Sequence, residues 1–266
     1  MLRHVLVVVG VLLAVGIASG VSIYGSVVGR YEDVIGAPLY SETGTGETVD
    51  VLAPVFVYHE FDGKALDSTV DWNLSGVNSG TAAIQAGAGG LVRLTTGAAD
   101  DDDVELATPL MWVAERGCSA EVRFATNDQA GAAWAFGFAD AVAYAADEVA
   151  EMSTTAPLGA TTDWAGFVWD PDDDPDVVRA WGRKGGTASD VIETGVSCAN
   201  GVFHVYRVSC STAGDLEFWI DGVSVGGVSA GVTADTPLCV YIGFINREGS
   251  ANTLDVDYVR GWQLRE

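Results

Sequence analysis

Apolar and polar residues alternate with a period of two over most of the chain beyond residue 50, which marks strands with one face in a core and the other in water. Ala120, Val122 and Phe124 fall on one face, Glu121 and Arg123 on the other. Leu216, Phe218 and Ile220 oppose Glu217, Trp219 and Asp221 in the same way, so Trp219 is expected to face outward. That run ends in Asp221-Gly222, a pair suited to a tight hairpin turn. Near the C-terminus, Val256 and Tyr258 are expected on the face opposite Asp255 and Asp257. Trp134, Phe136 and Phe138 alternate with Ala135 and Gly137, a pattern for a strand covered on both sides.

Read this way, the chain predicts strands at 55–61, 82–85, 91–96, 104–107, 118–125, 133–139, 165–169, 177–182, 191–194, 203–210, 216–221, 223–228, 238–246 and 254–263. Spacing of about 8–14 residues, with Gly, Asp or Pro between strands, is that of an all-β sandwich. One short helix is expected over 141–151, where Ala, Asp and Glu dominate, and no internal repeat is found. The expected organisation is an apolar segment over 1–29, a polar connector over 30–50 and one antiparallel two-sheet sandwich over 51–266.

The first segment admits three readings. A short basic start, the apolar run Val5 to Ala18 and the small residues Ala18-Ser19-Gly20 have the layout of a signal peptide. Extended to Gly29, the uncharged stretch is long enough for a membrane anchor. Its Val-rich runs also suit an arm buried in an assembly.

Charge narrows the partners. With 37 acidic and 13 basic residues the net charge is −24, which repels phosphate backbones and excludes nucleic acid as a partner. Only two residues are lysines, Lys64 and Lys184, and this depletion fits a high-salt setting as well as an ordinary acidic secreted protein. The four cysteines form no C-x-x-C pair, so a zinc site is not expected, and buried free thiols are favoured over bridges.

Some stretches carry a resemblance. Asp257-Tyr258-Val259-Arg260 resembles the last strand of family-16 glucanases and their laminin-G-like relatives. Trp219-Ile220-Asp221-Gly222 resembles the strand and turn those modules share. The chain thus looks like a concanavalin A-like lectin/glucanase jelly roll. Residues 90–96 and 100–106, and Asp221-Gly222-Val223 continuing to 238–243, are similar to sandwich modules in structural proteins of tailed viruses. The resemblance implies a non-enzymatic capsid decoration or fibre module on a virion surface, oligomeric and held by other capsid chains; the lysine-poor acidic composition adds a halophilic host to that expectation. The alternative is a secreted or membrane-anchored carbohydrate-binding protein of a cell surface, with contact to the membrane through residues 5–29. A degenerate glucanase is the third reading.

Candidate chemistry is sparse. Family-16 enzymes set three carboxylates on one strand face as Glu-x-Asp-x-Glu, and no such run exists here; Asp255-Val256-Asp257 comes nearest. Trp164, Trp169 and Trp181 flank an acidic loop and are candidates, with Trp219, for stacking sugar rings, although tryptophans at alternating positions also complete cores. Asp170, Asp172, Asp174 and Asp176 are candidate Ca²⁺ ligands, with Asp100 to Asp103 as a second set, although such runs also form solvated loops. His4, His59 and His204 are the only histidines, and no Gly-x-Ser-x-Gly elbow accompanies them.

Overall fold

The computed structural model describes residues 55–61, 66, 71–76, 80–85, 90–143, 161–172 and 177–264. The apolar segment, the connector and most of the expected helix at 141–151 lie outside them. The described chain is built of strands: β1 (Val55–His59), β2 (Asn73–Ser75), β3 (Thr81–Gln85), β4 (Leu91–Thr95), β5 (Asp103–Ala107), β6 (Ser119–Thr126), β7 (Ala132–Ala139) and β8 (Trp164–Trp169). They continue with β9 (Arg179–Lys184), β10 (Thr187–Ala188), β11 (Ile192–Glu193), β12 (His204–Cys210), β13 (Leu216–Ile220), β14 (Val223–Val228), β15 (Cys239–Asn246) and β16 (Thr253–Gln263). Among the described residues a 3-10 turn, Ala114–Arg116, precedes β6.

These strands form two antiparallel sheets. Sheet I runs β14-β13-β12-β6-β16-β4-β3, with β1 also paired to β16. Sheet II runs β10-β9-β8-β7-β15-β5-β2, with β11 also paired to β9. Sequence neighbours β6 and β7 lie in opposite sheets, as in a jelly-roll sandwich, so the fold expected from the alternation is the one formed.

Inner faces interlock around a ring cluster. Phe124 of β6 meets Trp134 of β7 edge-on at 4.7 Å and stacks on Tyr206 of β12 at 4.9 Å. Phe167 and Phe218 close the next layer at 5.4 Å. Each such side chain, fully buried, contributes about 1.5–3 kcal/mol relative to exposure. The four cysteines are buried and unbridged, packing as small apolar groups. Asp221 and Gly222 both have positive φ (51° and 79°), the geometry of a two-residue hairpin turn between β13 and β14.

Among the described residues the register slips in two places, one of them between β13 and β14 at Phe218 and Trp219. In β16 the pairing to β6 slips between Val256 and Tyr258, leaving Asp257 as an extra residue. Val256 and Val259 therefore face the core, while Tyr258, Arg260 and Trp262 share the outer face. The sequence pattern puts Tyr258 beside Val256; the bulge reverses it.

Candidate functional site

The two sheets differ on their outer faces. On sheet II, Ala107, Ala135, Ala139, Trp164, Val168, Trp181, Cys239 and Tyr241 form a second buried cluster. Trp164 lies 5.8 Å from Trp181 and 6.1 Å from Tyr241, ring to ring. The floor beside them is narrow: a Cβ on Gly137 would come within 2.1 Å of the Ala165 carbonyl oxygen. The carboxylates placed here are Asp103 and Glu105, two residues apart on β5 and both fully buried. Glu105 accepts a hydrogen bond from the Tyr241 hydroxyl at 2.7 Å. Strands β7 and β8 offer this face only Ala, Gly, Trp and Val at the positions from 133 to 139 and from 164 to 168. Asp103-Val104-Glu105 carries the same alternation in sequence as the other strands, which is the signal that marks this pair. The nearest approach to the Glu-x-Asp-x-Glu run in the sequence, Asp255 and Asp257, is split by the bulge: Asp255 grips Arg93 at 2.6 and 2.8 Å, and Asp257 pairs with Arg123.

Of the four candidate tryptophans, three are interior. Trp169 faces the core between the sheets and its indole N–H donates to the Gln129 carbonyl at 2.9 Å. Trp164 and Trp181 are buried on the opposite side of sheet II. Trp164 and Trp169 stand five positions apart on one strand, an odd separation that sends them to opposite faces, so no groove unites the three. Trp219 alone is partly exposed, facing outward from sheet I as the alternation predicts.

The acidic runs are tied down by an arginine. Arg247 donates to both oxygens of Asp170, at 3.2 and 2.5 Å, and to Asp101 at 2.8 Å, with Asp172 at 4.0 Å. A guanidinium thus stands where the two candidate Ca²⁺ loops converge. Burial raises the Asp170 carboxyl above its ordinary range even against the pull of Arg247. Asp174 and Asp176 lie outside the described residues. Among the described residues no cluster of three or more acidic, histidine or cysteine side chains is set to hold a metal ion. Arg247 is the only basic residue between Arg207 and Arg260, a cue the sequence held.

A cavity of about 10 Å³, room for one water, opens beside Cys198, Trp134, His204 and Tyr206. Burial pushes the Cys198 thiol up to about 12, so it is protonated and unreactive near neutral pH. His204 is held by Asp221, Nδ1 to Oδ2 at 2.7 Å, next to the turn, and Asp221 also accepts the Val205 amide at 2.8 Å. It serves the hairpin corner.

Sheet I presents the accessible site. One lateral row crosses five strands in register: Trp219 (β13), Arg207 (β12), Glu121 (β6), Arg260 (β16) and Tyr58 (β1). Arg207 lies over the Trp219 ring at 3.9 Å. Glu121 accepts from the Tyr258 hydroxyl and from Arg260, each at 2.7 Å. Burial and that bond to Glu121 push the Tyr258 phenol well up. Arg260 also lies 5.8 Å from the Tyr258 ring and 5.6 Å from Trp262, and Arg123 lies 4.4 Å over Phe203. Stacked arginines and partly exposed rings of this kind are what protein surfaces use for specific contact.

No protein-family model matches the chain, and no curated protein does. Solved structures do. A protein of unknown function, SO2946 from Shewanella oneidensis MR-1, is similar at 9% identity and TM-score 0.57, over 91% of this chain and 97% of that one. A Bacillus licheniformis beta-glucanase is similar at 14% identity and TM-score 0.54, over 79% of this chain and 98% of that one. The Emp46p carbohydrate recognition domain is similar at 11% identity and TM-score 0.52, over 77% and 97%. At these identities the likeness establishes the concanavalin A-like sandwich, shared by glucanases and carbohydrate recognition domains.

Proposed function

We propose that this chain is a non-catalytic binding module that contacts saccharide through the outer face of sheet I. The observation that carries the reading is the partly exposed row of arginines and rings around Trp219, set against a sheet II face whose two carboxylates are buried. A retaining glycosidase needs two carboxyl groups about 5–5.5 Å apart with substrate between them. Asp103 and Glu105, the carboxylates of β5 on that face, are both buried and so not open to a substrate. Trp219 supplies an aromatic surface beside polar neighbours, the combination that holds a sugar ring. The similarity to a carbohydrate recognition domain supports the same reading.

A glycan array probed with the full chain tests it. Signal on some saccharides that falls at least tenfold in Trp219→Ala is expected, and a flat array for the folded wild-type chain refutes it. Presentation of the module on a virion surface is the finer form of the proposal, supported by the similarity of residues 90–106 to tailed-virus modules. Immunogold labelling of purified particles tests that form, and label confined to cell envelopes rejects it in favour of a cell-surface protein.

A further inference from the structure

The outer face of sheet I carries four arginines, and three of them have carboxylates: Arg93 has Asp255, Arg123 has Asp257 and Arg260 has Glu121. Arg207 has none among the described residues. Its cross-strand neighbour Glu121 is already engaged by Tyr258 and Arg260. Its Nε is buried with no hydrogen-bond partner. In a chain with 37 acidic residues, an arginine left without a counter-ion stands out.

The guanidinium is nevertheless held in place. Trp219 braces its plane at 3.9 Å, so little side-chain freedom remains to be lost on binding. Two residues along β12, on the same face, Ser209 Oγ accepts from Ser119 Oγ at 2.8 Å. On β13, Glu217 takes the corresponding position and accepts from Ser224 Oγ at 3.4 Å. A fixed guanidinium therefore stands beside an indole and a row of hydroxyl and carboxylate acceptors.

We infer that Arg207 and Trp219 form the specificity pocket of the saccharide site and select a sugar ring bearing a carboxylate, a uronate. This rests on the saccharide-binding reading above. A planar guanidinium grips a carboxylate through two parallel N–H bonds, and that geometry favours one anionic group over a diffuse charge. The other arginines of the face are neutralised and the whole chain carries a charge of −24. A densely charged polyanion or an acidic protein segment, which needs several free cations, is thereby disfavoured. An isolated carboxylate on a hydroxyl-rich ring meets one free cation, one aromatic surface and nearby hydroxyls.

The test is calorimetric titration of the full chain with an oligoglucuronate, a neutral gluco-oligosaccharide of equal length and an oligoglutamate peptide. The oligoglucuronate is expected to bind about tenfold tighter than the neutral sugar, the worth of one charge-assisted contact. Arg207→Gln is expected to abolish that preference, leaving the two sugars bound equally, and Arg207→Lys restores part of it. Thermal melts confirm that the variants are folded. Equal affinity for both sugars, unaffected by Arg207→Gln, overturns the uronate inference and leaves saccharide binding standing. No sugar binding by folded protein overturns both. Binding of the peptide alone, lost in Arg207→Gln, overturns both in favour of an acidic protein partner.

Discussion

Two tyrosine-to-glutamate hydrogen bonds of the same length, 2.7 Å, occupy opposite outer faces of the sandwich. On sheet II, Tyr241 and Glu105 are fully buried amid alanine, glycine and tryptophan. On sheet I, Tyr258 and Glu121 belong to a partly open row that also engages Arg260. The chemistry of the pair is shared; its surroundings decide its role. Buried, the bond satisfies polar groups that water cannot reach, and its worth is structural. At the margin of solvent it fixes the orientation of an arginine and a ring that remain available to a partner.

The strongest attack on this contrast is Gly137→Val. The new side chain would press on the Ala165 carbonyl and the Gly166 backbone on a face with no space, and a loss of more than about 3 kcal/mol in urea denaturation is expected. Ser209→Val on sheet I should cost only about 1 kcal/mol, through the lost hydrogen bond from Ser119. Equal losses would erase the distinction between the faces. Next comes Tyr241→Phe, which strips a donor from fully buried Glu105 and should cost about 1–3 kcal/mol. Tyr258→Phe should cost about 1 kcal/mol or less, because Arg260 still serves Glu121. Reversal of that order would show sheet I to be the sterner scaffold.

Smaller still is the Arg93–Asp255 pair, whose side chains are 40% and 23% exposed. Arg93→Ala should lower stability by no more than about 1 kcal/mol, and by less in molar salt. The smallest effect concerns pH. Burial lowers the pKa of His59, which lies 4.9 Å from the Trp72 ring, below its ordinary 6.5. The unfolded chain then takes up the proton more readily than the folded one. Stability from this group is intact above pH 6.5 and declines as the pH falls through that value. His59→Gln should flatten that decline in melts recorded from pH 7.5 to 5.

Much of the architecture was legible because burial writes itself as alternation. Strands β6, β7, β13 and β15 are marked by their own side chains, and Asp221-Gly222 declares its turn. β2 was not foreseen: three residues carry too little pattern to read. The site was harder. That Trp164 and Trp169 diverge follows from their odd separation, but burial of Trp164 depends on packing over sheet II, which no local pattern records. The row from Trp219 to Tyr58 joins residues from five strands scattered between positions 58 and 260. Register between distant strands creates it, and single-chain periodicity carries no register. Arg247, likewise, meets Asp101 and Asp170 only because three loops converge at one end of the fold.

The extra residue in β16 has a wider consequence. Deleting Asp257 would let Tyr258 follow Val256 directly in the pairing to β6, straightening the strand while leaving Tyr258, Arg260 and Trp262 on the outer face and Val259 in the core. Drawing Asp257 into the ladder opposite Arg123 is what would invert every later side chain of the strand, sending Tyr258, Arg260 and Trp262 inward. The bulge thus lets the strand carry one residue more than its ladder needs without disturbing what the sheet shows to its surroundings.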